Sequence, residues 1–408
     1  MKGASVFKSL VGVLAILVMV AVSSHAEETT IKIGFVGDFD GVTKDYCQGS
    51  YQAAQIAVDE INKAGGLLGR PVELIKRDAG PDPEKHNIAF NSIVWEENVV
   101  AVFGGASSPC ILRASEAARD QKIPYLISIG NTQAVVVEKG HPYVFLFEAN
   151  SWMETKGFSI FTTLMPWKRY AWVGPDYTWG HEVFAYFQQH FAEIGAPIDW
   201  VAEAWHPLGH GEFSTIIPHL IKADPDALVI ASWGKDMLEF TRLAKQAGLF
   251  DKMAAFGWFF LQLDDKERLI PEGVWTLTRA PFNYLVDKYP QTRSFVETYH
   301  QRYNAYPIDF TICGYDAVTA WKLAVQKANS AEPEAVARAL KGLSFEGMRG
   351  QSHIRAVDGQ INCPTYFGRL VYLPEYPAAV LDSVFEIPAD KTWLSEKEVL
   401  ARRAVAGN

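Results

Sequence analysis

Cysteine is scarce in this chain. There are four among 408 residues, at positions 47, 110, 313 and 363, and no two form a C-x-x-C pair. Neither a zinc ribbon nor a thioredoxin-type redox motif is therefore supported. Two readings of the thiols stay open: bridges in an oxidising compartment, for which Cys47 and Cys110 are the candidate pair, or free buried groups. Signatures of catalysis are missing as well. The sequence has no G-x-x-x-x-G-K-[ST] phosphate loop and no G-x-S-x-G nucleophile elbow. His181-Glu182 lacks the second histidine of H-E-x-x-H, and the loop histidines His206 and His210 have no clear third ligand, so no metal or other cofactor is expected. Basic residues are outnumbered, 38 to 47. That balance argues against nucleic acid and against anionic lipid surfaces.

The N-terminus carries a different signal. Lys2 and Lys8 precede an apolar run, Leu10 to Val22, and then Ser24-His25-Ala26. A basic start, a short apolar stretch and a small-x-small site predict a secretory signal peptide over residues 1–26, cut after Ala26. Its loss removes two lysines and leaves 36 basic against 47 acidic residues, a net charge of −11. All four cysteines lie well beyond the cut, so no lipobox anchors the chain. No later apolar stretch is long enough to span a bilayer.

Beyond the leader, strand and helix patterns alternate. Ile31 to Gly37, Val72 to Arg77, Val99 to Phe103 and Ile123 to Ile127 read as strands, with helical faces between them. A second run starts near residue 150, with strands at 170–174, 201–204, 227–231, 254–257 and 274–277. This alternation predicts an α/β fold with doubly wound parallel sheets. One stretch stands out, Val99-Val-Ala-Val-Phe-Gly-Gly-Ala-Ser-Ser-Pro-Cys110. Its glycines let the strand turn sharply, and Ser107 or Ser108 can cap a helix that has Pro109 in its first turn. Such a helix N-terminus favours an anion. The same stretch is equally readable as an ordinary strand–helix turn.

Several motifs, taken in order, resemble those of the branched-chain amino acid (Leu/Ile/Val) solute-binding proteins of ABC transporters. They are Ala57 to Pro71, Asp78 with Asp82-Pro83, Phe103 to Ser108, Ile123 to Thr132, Pro142 to Phe145, Gly211 to Ser214, Lys222 to Asp226, Gly314 to Ala317 and Phe345 to Gly347. The resemblance implies a type I periplasmic binding protein fold, two lobes joined by a three-crossing hinge. Lobe one would take residues 27–148 and 279–352, and lobe two 149–278 and 353–408. It also implies a monomer in the periplasm that hands its cargo to a membrane permease and ATPase and carries out no chemistry.

The resemblance further implies the site. Ser107, Ser108, Gly130 and Thr132 would hold a ligand carboxylate. Tyr46, Trp179, Trp233 and Phe310 would supply rings, and Phe259 stands where amino acid binders of the family place an acid for the ligand ammonium. Trp258 and Phe260 flank it. A buried ammonium without its acid costs several kcal/mol, about a hundredfold or more in affinity. Unless Asp38, Asp40 or Asp236 stands in for that acid, the expected ligand is a small carboxylate without an α-ammonium, such as an aromatic acid. The alternatives are a branched-chain amino acid, an amide or urea, a ligand-sensing module, and, from a different class, an exported hydrolase.

Overall fold

Apolar strand runs of this sequence assemble into two main sheets. The computed structural model describes residues 30–195, 198–209, 211–259, 268–377 and 379–407. The expected leader, His210 and Phe260 lie outside the described residues.

The first sheet comes from the N-terminal run. It alternates β1 (Ile31–Gly37), α1 (Lys44–Lys63), β2 (Val72–Asp78), α2 (Pro83–Glu97), β3 (Val102–Gly105), α3 (Ser108–Gln121), β4 (Tyr125–Ile129) and β5 (Val144–Leu146). The strand order is β2-β1-β3-β4-β5, all parallel. Residues of β3, β4 and β5 are buried throughout, as helix-covered parallel strands require. Local signals set the helix ends. Asp82 accepts from Lys85 N at 2.9 Å with Pro83 opening α2.

The second sheet follows with α4 (Ser151–Thr162), β6 (Arg169–Pro175), α5 (Thr178–Glu193), β7 (Asp199–His206), α6 (Ile216–Ala223), β8 (Ala227–Ile230), α7 (Gly234–Gln246), β9 (Ala254–Gly257) and β10 (Trp275–Thr278). The chain then forms α8 (Phe282–Lys288), α9 (Pro290–Tyr303), α10 (Thr311–Ala328), α11 (Pro333–Leu340) and a hairpin of β11 (Ser344–Gly347) and β12 (Gly350–His353). Of these, α10 packs on α1 and against β3 and β4, completing the cover of the first sheet. Finally β13 (Thr365–Val371) and β14 (Val380–Ile387) rejoin the second sheet, and α12 (Glu396–Ala406) ends the chain. The second order is β14-β13-β10-β9-β8-β6-β7.

The first sheet with its helices makes lobe one, and the second sheet with its helices lobe two. The chain passes between the sheets three times: after β5, after β10, and between β12 and β13. Strands β6 to β10 are parallel, whereas β13 and β14 run antiparallel. The alternation read from sequence predicts parallel strands only. The antiparallel edge forms because β13 and β14 follow one another through a short link, which needs no crossover helix. In β14 buried residues give way to half-exposed ones, as an edge strand with a wet face permits. Although it follows β14, α12 reaches back to lobe one. Arg403 there donates to the carbonyls of Val136, Val137 and Val357 at 2.7–3.0 Å. No helix among the described residues is long and apolar enough to cross a membrane.

Candidate functional site

The carboxyl ends of both sheets face a common cleft, the position where open α/β sheets bind ligands. In lobe one the ends of β3 and β4 curl together through glycine. Gly105 has φ +127° and Gly130 φ +103°. A Cβ on Gly105 would lie 2.1 Å from Ile129 O, and one on Gly130 2.6 Å from Ala106 O. Side chains are thus excluded, and main chain is brought to the surface of the cleft. Ser107 sits at the N-cap of α3, but its Oγ donates to Cys110 Sγ at 3.2 Å and caps no backbone amide. The helix start is left without a side-chain cap, an arrangement suited to an incoming anion.

Rings cover this floor from lobe two. Tyr177 and Trp179 open α5, Trp233 precedes α7, and Trp258 follows β9. Trp179 meets Trp258 edge-on, with centroids 5.4 Å apart, and lies 6.3 Å from Tyr177 in a stacked arrangement. The two walls touch: Tyr46 of α1 lies 6.3 Å from Trp233 and 5.4 Å from Phe310. Among these rings, Trp179 Nε1 is buried without a hydrogen-bond partner among the described residues. Between these residues the cleft holds about 460 Å³ of space, open solvent included.

Seven of the nine expected residues line this space: Tyr46, Ser107, Ser108, Gly130, Trp179, Trp233 and Phe310. Thr132 does not. It accepts from Ala134 N at 3.3 Å, and its hydroxyl turns to the Glu182 carboxylate of lobe two. Phe259 does not either. It is buried in the apolar core of lobe two, and the neighbouring Trp258 faces the cleft instead. β9 ends at Gly257, and just past it neighbouring side chains face opposite ways, so an offset of one residue exchanges core for cleft. The sequence reading misses Thr43, Asn131, Tyr177 and Arg279, all of which line the space.

Arg279 lies just past β10, at the second crossing. Its Nε is 2.8 Å from Glu148, Nη2 2.5 Å from Glu154 and Nη1 2.5 Å from Asp309, and its guanidinium stands 4.5 Å over the Phe310 ring. All four charged groups are buried. Burial pushes the Glu148 carboxyl well up, against the opposing pull of Arg279. Burial likewise raises Glu154, to about 7. The surrounding acids keep Arg279 protonated despite its burial. One guanidinium thus holds three carboxyls that come from both lobes.

All four cysteines are free and buried. Burial pushes the Cys47 thiol up to about 12, which disfavours the reactive thiolate. His206 Nε2 contacts Ser232 Oγ at 2.7 Å and its Nδ1 contacts Pro207 O at 3.0 Å. Among the described residues no group of three His, Cys, Asp or Glu is placed to hold a metal ion.

Two α/β lobes closing a ring-lined cleft over the carboxyl ends of their sheets define a solute-binding protein. The chain belongs to the periplasmic binding protein family, whose match runs over residues 30–372. Among its relatives is the leucine-, isoleucine-, valine-, threonine-, and alanine-binding protein of Pseudomonas aeruginosa. It is 24% identical over 352 residues, 86% of this chain and 91% of that protein. The fold is similar to that of an ABC transporter solute binding protein from Rhodopseudomonas palustris in complex with 3,4-dihydroxy benzoic acid. There the TM-score is 0.78 at 19% identity, covering 88% of this chain and 98% of that one. It is also similar to a branched-chain amino acid transporter substrate binding protein from Streptococcus pneumoniae in complex with isoleucine. That likeness has a TM-score of 0.75 at 20% identity and covers 88% of this chain and 100% of that one.

Proposed function

We propose that this protein captures a small aromatic carboxylate in its inter-lobe cleft and delivers it to the permease and ATPase of an ABC importer in the periplasm. One observation carries the choice of cargo. The described lining residues include six aromatic rings and Arg279, and no aspartate or glutamate. A carboxylate would rest on the uncapped start of α3 and the main chain at Gly130, worth about 1.5–3 kcal/mol for a charge-assisted hydrogen bond. The ring would lie among Trp179, Trp233 and Trp258, which adds about 1.5–3 kcal/mol from burial. An amino acid would bring an ammonium with no lining acid to receive it, at a cost of several kcal/mol. Trp179 Nε1 adds a preference within the class. An oxygen on the ring, away from the carboxylate, would give that buried donor its missing acceptor.

Calorimetric titration of the mature protein with benzoate, 4-hydroxybenzoate, leucine and isoleucine tests this. The expected result is binding of the aromatic acids with both amino acids at least a hundredfold weaker. Tight leucine or isoleucine with both benzoates inert overturns the reading and makes the cargo a branched-chain amino acid.

A further inference from the structure

One buried carboxylate holds three of the cleft's lining side chains, and it lines nothing itself. Glu154 lies in the first turn of α4, whose N-cap Asn150 accepts from Met153 N at 3.0 Å. It is fully buried. Its Oε2 accepts from Asn131 Nδ2 at 2.6 Å and from Trp258 Nε1 at 3.4 Å, and its Oε1 is 2.5 Å from Arg279 Nη2. Asn131 belongs to the loop after β4 in lobe one, Trp258 to lobe two and Arg279 to the second crossing. We infer that Glu154 is a positioning residue that fixes the spacing of the two cleft walls, and so sets ligand affinity without touching the ligand. This rests on the cleft as the binding site and is independent of which cargo fills it.

Charge balance does not account for a carboxylate here. Arg279 already has Asp309 to balance its single positive charge, and the Glu148 carboxyl stands beside its Nε as well. A third buried acid is costly to desolvate, and a neutral side chain would satisfy the count better. What a third acid adds is acceptors, and these meet Asn131 and Trp258, one from each wall. The same loop is gripped a second time, through its main chain. Gln133 N donates to Glu182 of α5 at 3.2 Å, and Ser151 Oγ donates to that same oxygen at 3.0 Å. Glu182 therefore holds the backbone of the turn, while Glu154 holds the side chain that faces the cleft.

The inventory of acceptors gives the test. A glutamine at 154 keeps one carbonyl oxygen with two lone pairs, enough for Asn131 and Trp258 together, and replaces the oxygen paired with Arg279 by an amide NH2, a donor that must turn away from the guanidinium. A leucine keeps the volume and removes every acceptor. Titration of the mature protein with 4-hydroxybenzoate and, in parallel, with isoleucine should leave Glu154→Gln within about threefold of wild type, whereas Glu154→Leu should lose at least tenfold for whichever probe binds. Asn131→Ala, which removes the donor instead, should lose a similar factor alone and add nothing in the Glu154→Leu background. Glu154→Leu binding as tightly as Glu154→Gln, or the two losses simply adding, overturns the inference. If neither probe binds wild type, the aromatic-acid reading falls by itself. The inference is then read from small-angle scattering of the unliganded proteins, where Glu154→Leu should have the larger radius of gyration and equal radii overturn it.

Discussion

At the scale of single residues, the cleft is decided by which way a side chain faces. Trp258 and Phe259 are adjacent and equally apolar, yet one lines the cleft and the other fills the core. Nothing in the string Gly257-Trp-Phe-Phe distinguishes them, because the choice is made by the exit angle of β9. Arg279 was illegible for another reason. Its meaning comes from Glu148, Glu154 and Asp309, which lie up to 131 residues before it and 30 after, and which only the fold collects. By contrast Tyr46, Trp179 and Ser108 were readable because each sits at a helix start beside a strand end. Selectivity belongs at this scale. Trp179→Phe should retain benzoate binding within about threefold and erase any preference for 4-hydroxybenzoate, since it removes the donor and keeps a ring; calorimetry of the pair checks it. A pH effect belongs here too. His141 Nδ1 accepts from Tyr143 N at 3.3 Å and its Nε2 lies 2.9 Å from Ser115 O, which fits a neutral ring carrying its proton on Nε2. Burial lowers its pKa from 6.5 to about 4. The unfolded chain therefore takes up a proton between pH 6.5 and 4 that the native state refuses, and stability falls as pH drops through that window. The contribution is on the order of 3 kcal/mol at most. Denaturant titrations of wild type and His141→Gln at pH 7 and pH 4.5 should show the variant losing less.

Elements carry the floor of the cleft. The turns after β3 and β4 work only because glycine ends the first strand and directly follows the second. Gly130→Ala puts a Cβ 2.6 Å from Ala106 O at a φ of +103°. The expected cost is about 1–3 kcal/mol of stability together with at least a tenfold loss of affinity, measured by thermal melting and titration. Turns of this kind were legible, since Gly-Gly-Ala-Ser-Ser-Pro announces a tight βα junction by composition alone. The expected serine cap was not realised, because Cys110 in the same turn draws the Ser107 hydroxyl. The parallel alternation through Leu277 is readable for a different reason: its central strands are buried and apolar on both faces. After residue 352 the pattern weakens. Strand β14 has one wet face, and α12 buries only Val399 while Leu400 and Val405 are exposed. Neither leaves a strong period to read.

The whole molecule is two halves that meet through contacts between different elements: Tyr46 with Trp233, Asn131 with Glu154, and the Gln133 main-chain N with Glu182. Binding should therefore favour the shut form. Saturation with ligand is expected to lower the radius of gyration in small-angle scattering and to raise unfolding free energy by about 2.7 kcal/mol at a hundredfold excess over Kd. An unchanged radius would mean that the halves do not move. Neither half is a continuous stretch of chain, since α10 at residues 311–328 covers a sheet whose strands end at residue 146. During synthesis, the first five strands must wait for some 165 further residues to emerge before their exposed side is roofed. Until then only α1 covers that side, and the rest of its apolar surface stays open to whatever is nearby. A polypeptide of this design needs an escort or an unfolded route until nearly all of it has left the ribosome.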